Sequence, residues 1–263
     1  MKKFIDYMRV IAHAFEMSTR QNFMDAFILF GILVQPLLIA VLAFWMLSEK
    51  GGDYVTFVVV GAGMTGLWTA VLFDSGNAIT AERWTGTLEL LIGSPTPLQI
   101  TVFGKNLANV VLSLLSMVVC FSIAIMIFGY IPEIKQPHWF GVSIVLGVIS
   151  YVFFGLVLSP LFVLNPDVQR WQNGLEFPIY VLCGFLFPIA LLPNWTTPFS
   201  YILAPYWAAR ALHASSSGGD FVSDILLSWV MMVVFIFLYG IISALLFKSL
   251  LRKARADATL GIQ

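Results

Sequence analysis

Few side chains in this sequence could do covalent chemistry, and those that could are scattered. His13, His138 and His213 lie far apart, and His13 falls on the polar face of a helical pattern, where a solvated surface histidine belongs. Cys120 and Cys183 both sit inside apolar runs, where a thiol behaves as a small buried hydrophobe. Their number and spacing give neither a disulfide framework nor a metal site. The strings HExxH, GxSxG and GxxxxGK[ST] are absent, so no zinc-protease pair, nucleophile elbow or phosphate loop is readable. We therefore expect no catalytic residue, metal or cofactor on this chain. Residues 61–66 read GAGMTG, which spells a dinucleotide fingerprint. That fingerprint works only at a strand-to-helix turn, and this one lies mid-way along an apolar run. Close packing is the better use: Ala62 with Gly66, or Gly61 with Thr65, form small-xxx-small pairs that let helix backbones approach. A flexible apolar helix with no particular partner is the plainer alternative.

The carboxylates say more. Residues 82–95 read ERWTGTLELLIGSP, a charged stretch between two long apolar runs. At 100° per residue Trp84, Leu88 and Leu91 share one arc, and Glu82, Thr85 and Glu89 the opposite one. Gly93 is a natural stop, and Ser94-Pro95 cannot easily continue a helix. The spacing predicts a short two-faced helix, its apolar arc packed on its own chain and its acidic face open to something else. A solvated helix that merely joins two spans has the same pattern. Asp74 ends one apolar run. Glu176 opens another, two residues before Pro178. A carboxylate at membrane depth is costly and marks function by default. Near a helix N-terminus, however, the dipole favours it, so Glu176 is either a structural interfacial residue or a gate or substrate contact.

The elements that must hold these groups are membrane spans. The chain has 263 residues, 59% of them hydrophobic and 11% charged, against about 25% charged in soluble domains. Six runs are long enough to cross a bilayer: Ala26 to Leu47, Tyr54 to Phe73, Leu107 to Phe128, Trp139 to Leu164, Gly174 to Leu192 and Asp224 to Phe247. The fifth is irregular, with Pro178 and Pro188 inside it. Residues 1–24 form an amphipathic interfacial helix, with Phe4, Met8, Ile11 and Phe15 on one face; no cleavable leader is expected, because that polar segment precedes the first apolar run. Residues 26–247 carry the spans, and 248–263 form a tail. No stretch could bury a second core, so 1–263 reads as one transmembrane domain. Lys2, Lys3, Arg9, Arg20, Arg83, Lys105, Arg170, Lys248, Arg252, Lys253 and Arg255 all fall on one side of a six-span topology, and Lys50, Lys135 and Arg210 on the other. The positive-inside rule then puts both termini and the 82–95 stretch in the cytoplasm. Between Pro193 and Ser223, Trp195, Tyr201, Tyr206 and Trp207 suit an outer interface belt, Pro205 breaks a short apolar helix, and Ser215 to Gly219 is a flexible turn. That segment could dip into the outer leaflet without spanning it.

The 82–95 stretch resembles the signature of type-2 ABC exporter permeases, in which Glu-Arg leads to Gly-Thr-Leu-Glu, a leucine-rich turn and Ser-Pro. Here these are Glu82, Arg83, Gly86, Thr87, Leu88, Glu89, Leu90, Leu91, Ser94 and Pro95, followed by Gly104-Lys105. The resemblance extends to Gln35-Pro36, Phe187-Pro188 and Leu192-Pro193 before Trp195. It implies an all-α integral membrane permease of six transmembrane helices, with a cytoplasmic coupling helix and an outer re-entrant segment. It also implies a bacterial cytoplasmic-membrane location, a second permease copy (homo- or heterodimer), and a pair of separate ABC ATPase subunits that hold the ATP and Mg. Glu82, Arg83, Gly86, Thr87, Leu88 and Glu89 would form the coupling element, with Glu82, Arg83 and Glu89 contacting the ATPase and Trp84 and Leu88 packing on the permease. The abundance of aromatics, including 23 Phe, leans towards an amphipathic or hydrophobic substrate such as a drug, antibiotic or lipid-linked compound. A lipid-linked polysaccharide exporter, a non-transporting scaffold and an intramembrane enzyme are the alternatives. No nucleic-acid partner is expected.

Overall fold

Long apolar runs punctuated by Gly and Pro make helices, because only a helix satisfies its own backbone where water is absent. The computed structural model describes residues 2–47, 52–129, 134–164, 168–218 and 222–257. Among these there is no strand. The helices are α1 (Lys2–Met24), α2 (Ala26–Leu29), α3 (Gln35–Leu47), α4 (Gly52–Thr69), α5 (Ala78–Trp84), α6 (Leu88–Gly93), α7 (Leu98–Phe128), α8 (Pro137–Val163), α9 (Val168–Leu182), α10 (Thr197–Tyr201), α11 (Ala204–Ser217) and α12 (Val222–Asp257). Lys50, Gly219 and residues 258–263 of the expected tail lie outside the described residues.

Four helical stretches among the described residues are long and apolar enough to cross a membrane: Val55–Trp84, Leu98–Ile123, Pro137–Val163 and Val222–Lys253. The expected first run is helical from Ala26 to Leu47 but passes through a π turn at Phe30–Val34, where the Gln35 N–H reaches back to the Phe30 carbonyl. The wider turn makes room for Pro36, whose ring would clash with a normal α-helical turn. The expected fifth run, Gly174 to Leu192, is not one helix. Its helix, α9, starts earlier at Val168 and stops at Leu182. Gly184 at φ 68° closes it, with the Phe185 N–H on the Tyr180 carbonyl at 3.3 Å, the bond pattern of a Schellman end.

α4 is the centre of the bundle. Val58, Val60, Ala62, Met64, Leu67 and Trp68 are all buried, so it is apolar on every face, as an interior helix must be. It packs on α3, α7 and α11. The GAGMTG stretch lets α7, α3 and the backbone at Phe185 close in on α4. A Cβ on Gly61 would sit 1.8 Å from the Phe185 carbonyl oxygen, one on Gly63 2.8 Å from Met117, and one on Gly66 2.4 Å from Ser116 and 3.0 Å from Pro36. Each glycine has its own partner, which is sharper than a single small-xxx-small seam.

The segment before α12 is more buried than a surface dip. α10 and α11 are separate helices, and Pro205 starts the second. Tyr206, Trp207, Ala208, Ala211 and Leu212 are buried against α8, α12 and α4. Ser215 to Gly219 was expected as a flexible turn. Instead α11 runs on through Ser217, with the Ser215 and Ser216 hydroxyls turned back onto the Ala211 and His213 carbonyls at 2.7 and 2.9 Å. His213 stacks on Phe57 with ring centres 3.7 Å apart. Its Nε2 donates to the Phe185 carbonyl at 3.1 Å, while Nδ1 is buried without a partner. Burial pushes its pKa down to about 4, against the opposing pull of the Phe185 and Gly184 carbonyls.

Two outcomes follow from this packing. Gly61→Ala should destabilise the detergent-solubilised protein by about 1–3 kcal/mol, the usual cost of overpacking. Gly141→Ala, in open space on α8, should be neutral or stabilising by up to about 1 kcal/mol; thermal unfolding of the two variants checks the contrast. For His213 the folded pKa lies below the unfolded value of about 6.5, so its contribution is present above pH 6.5 and lost as pH falls towards 4. Between pH 7 and pH 5 the wild type should lose on the order of 2 kcal/mol more than His213→Gln, read from unfolding curves at both pH values.

Candidate functional site

The charged stretch folds as an elbow of two short helices, not one. α5 ends at Trp84 and α6 begins at Leu88. Between them Gly86 takes φ 73°, a left-handed conformation that glycine reaches without strain. The Thr87 N–H bonds to the Glu82 carbonyl at 2.9 Å and the Gly86 N–H to the Arg83 carbonyl at 3.2 Å. Periodicity alone assumed an unbroken helix, and the turn resets its phase. Leu88 therefore packs inward, 3% exposed, among Ile79, Leu98, Val102 and Leu250. Trp84, expected beside it, faces outward at 68% exposure. Ser94 is extended, and Pro95 and Pro97 deliver the chain to α7.

Charge pins the elbow down. The Glu82 carboxylate pairs with Lys105 Nζ on α7 through one oxygen and accepts the Thr87 hydroxyl through the other. Only 11% of the Lys105 side chain and 17% of the Glu82 side chain are exposed, so the pair is shielded well beyond an ordinary surface bridge. Arg83 sits in the last turn of α5. Glu89 is exposed in the first turn of α6, where the helix dipole favours it. Leu90 beside it is 75% exposed. Glu82 thus serves the internal clamp, and the outward surface is made by Trp84, Glu89 and Leu90.

The second carboxylate site lies deeper. Glu176 is 8% exposed. It sits two turns inside α9, so the helix-terminus explanation of its charge fails: Val168, not Gly174, starts the helix. Its Oε1 accepts Gln35 Nε2 at 2.6 Å and the Tyr180 hydroxyl at 3.0 Å. Because Tyr180 donates to Glu176, the Thr69 hydroxyl, 2.8 Å away, donates to Tyr180. A polar chain therefore crosses α3, α9 and α4. Glu176 lines a cavity of about 210 Å³ with Phe30, Gly31 and Thr69. That cavity shares Ile28, Phe73, Asp74 and Asn173 with a larger one of about 680 Å³.

A π turn at Ala70–Ser75 joins α4 to α5 and sets Asp74 at the junction of the two cavities. The Gly76 N–H is shared by the Val71 and Phe73 carbonyls, which passes over Leu72. Gln172 of α9 fills the gap, donating Nε2 to the Leu72 carbonyl at 3.0 Å. Ser159 of α8 donates to the Ser75 carbonyl at 2.6 Å. On the far wall the Asn109 amide lies 2.8 Å from Asn22 Nδ2 and 3.1 Å from Ser18 Oγ of α1.

The structure brings Glu82, Gly86, Thr87 and Leu88 together around Lys105 and the α7 root, and leaves Glu89 outward. It places Glu176 elsewhere, in the cavity wall. Gln172 and Asn109 were not expected. A signal for Asn109 existed: Asn106, Asn109, Ser113 and Ser116 make a buried polar stripe at helical spacing along α7. Gln172 had none, since it lay in what read as a loop. Among the described residues no group of three or more His, Cys, Asp or Glu converges as metal ligands would.

A sequence model described as "ABC-2 family transporter protein" matches residues 45–245, a range that contains the elbow and Glu176. The protein "ABC transporter G family member 20" of Dictyostelium discoideum is 27% identical over 165 residues, covering 59% of this chain and 22% of that relative. The chain thus spans about a fifth of the length of the curated relative it matches.

The clamp gives a measurable coupling. A double-mutant cycle on Glu82→Gln and Lys105→Met, followed by thermal unfolding, should return about 1–2 kcal/mol, above the roughly 0.2–1 kcal/mol of exposed pairs. Thr87→Val should reduce the same coupling.

Proposed function

The chain belongs to the ABC-2 family of transporter proteins, a multi-pass membrane component of ABC transport that works with an ABC ATPase, and from that premise we propose that it is the permease subunit of an ATP-driven exporter. In this reading the Ala26–Leu47 helix and α9 join the four long helices to make six passes. Both termini and the elbow face the cytoplasm of a bacterial cell, and α10–α11 form an outer re-entrant segment. Two permease copies pair with two separate ATPase subunits, which hold ATP and Mg. The elbow is the coupling element, and the substrate is amphipathic or hydrophobic.

The observation that carries the reading is the elbow itself. A docking element for a moving ATPase needs an outward surface and a stiff root. Here Trp84 and Leu90 stand exposed, while Glu82, Thr87 and Lys105 tie the turn to α7. Exposed large apolar side chains beside a charge fit the anchor-and-rim composition of protein interfaces. Glu89 supplies the charge.

Leu90→Asp and Glu89→Lys should each cut co-purification of an ABC ATPase from native membranes by about tenfold or more, the effect of losing an interface anchor. ATP-dependent efflux should fall with it, while the variant remains monodisperse. Full ATPase recovery and full efflux with both substitutions would sink the coupling assignment.

A further inference from the structure

The two joined cavities have a chemical bias. Acceptors crowd their walls. Gln172, 1% exposed, commits its Nε2 to the Leu72 carbonyl and leaves Oε1 with no partner among the described residues. Glu176 takes both its donors on Oε1. Asp74 has no hydrogen-bond or ion-pair partner among the described residues and lies within electrostatic reach of the Asp25 carboxylate. Lys105, the cation on this wall, is already paired with Glu82. Neutral amides, among them Asn22, Asn109 and Asn173, share the lining with an apolar part from Ile28, Phe30 and Phe73. A carboxylate set among apolar groups either holds a proton or is stabilised by an opposite charge that meets it.

We propose that this double cavity binds amphipathic organic cations, with a protonated amine seated between Asp74 and the Gln172 carbonyl oxygen and an apolar body against Phe73 and Ile28. An ammonium adds to the neutral amides what they cannot supply, a positive charge for Asp74, carried on N–H donors that also suit the Gln172 carbonyl oxygen. The volumes, about 680 and 210 Å³, suit a molecule of drug size. An inorganic cation would find the charge but leave the aromatic wall unused. As a statement about cargo the inference rests on the transporter reading; as a statement about binding it does not.

Dansylcadaverine, a fluorescent ring system with a primary ammonium, and its neutral N-acetyl derivative test it on the purified full chain in nanodiscs. The ammonium probe should bind at least about tenfold tighter than the neutral one, the value of a charge-assisted hydrogen bond. Asp74→Asn should erase that difference while leaving the weak neutral binding intact. Circular dichroism and monodispersity guard against misfolding, and Asp74→Glu should restore part of the preference. Absence of dansylcadaverine binding, equal affinity for the two probes, an unchanged preference in Asp74→Asn, or displacement by millimolar Na⁺ at constant ionic strength would each overturn the proposal. ATP-driven efflux from proteoliposomes containing the ATPase separates the two readings. Charge-selective binding with no efflux of any probe sinks the transporter reading alone; efflux of a neutral probe without ammonium preference sinks this inference alone.

Discussion

Much of this structure hangs on one hydrogen bond, from Gln172 to the Leu72 carbonyl. A π turn leaves a backbone carbonyl without its helical donor, and in an apolar interior an unpaired carbonyl is costly. Gln172 reaches from α9 to supply the donor. That contact holds α9 against α4 and keeps the π turn open. The turn in turn sets Asp74 at the junction of two cavities. The same contact fixes the register in which Tyr180 and Glu176 meet Thr69 and Gln35. The site is thus a consequence of how one helix escapes regular geometry.

The rest of the interior obeys the same constraint with smaller groups. Serine and threonine hydroxyls fold back on carbonyls of their own helices, as Ser113 and Thr65 do, or reach across, as Ser116 does to Gly63. Gly61, Gly63 and Gly66 let the neighbours approach until a single Cβ would collide. Where apolar burial cannot by itself drive helix association within a bilayer, close contact and hydrogen bonds must do so. Hence α4 is lined with the smallest side chains where its neighbours press closest, and with Trp68 and Met64 where they leave room.

The sequence made the long apolar helices legible, together with the two-faced N-terminal helix and the stop at Gly93, because hydropathy and helix-ending residues act locally. It misled where tertiary contacts override local pattern. The 82–93 stretch reads as one helix since helical periodicity presupposes continuity; in the fold Gly86 breaks it at φ 73°, and Thr87 and Lys105 both converge on Glu82. Residues 168–173 read as loop because Arg170 and Gln172 are polar. In the fold Val168, Gln172 and Glu176 are one buried face of α9, and Gln172 is there to satisfy a carbonyl no periodicity reveals. Ser215 to Ser217 read as a turn on composition alone, although hydroxyls bonded to preceding carbonyls are compatible with a helix. The cavity could not be read at all, since it is bounded by α1, α5, α7 and α9 together.

The geometry also links the cavity to the elbow. Val55–Trp84 is one nearly continuous helical rod, carrying Asp74 part-way along and Glu82 near its end. Gly86 would make the elbow a soft joint if it stood alone, and a soft joint transmits little force. The Glu82 carboxylate removes that softness by holding Thr87 on one oxygen and Lys105 on the other. A push on α6 is therefore shared between the rod that carries Asp74 and α7, which carries Asn109 on the opposite wall of the same cavity. Displacing the elbow must strain both walls together, and the packed glycine contacts of α4 leave little slack to absorb the motion before it reaches them. The mid-rod π turn is the irregular point of the rod, where the Gly76 N–H is shared by the Phe73 and Val71 carbonyls. A device that turns an external push into a change of cavity shape needs these three parts in series: a stiff root, a rod and a turn beside the cavity.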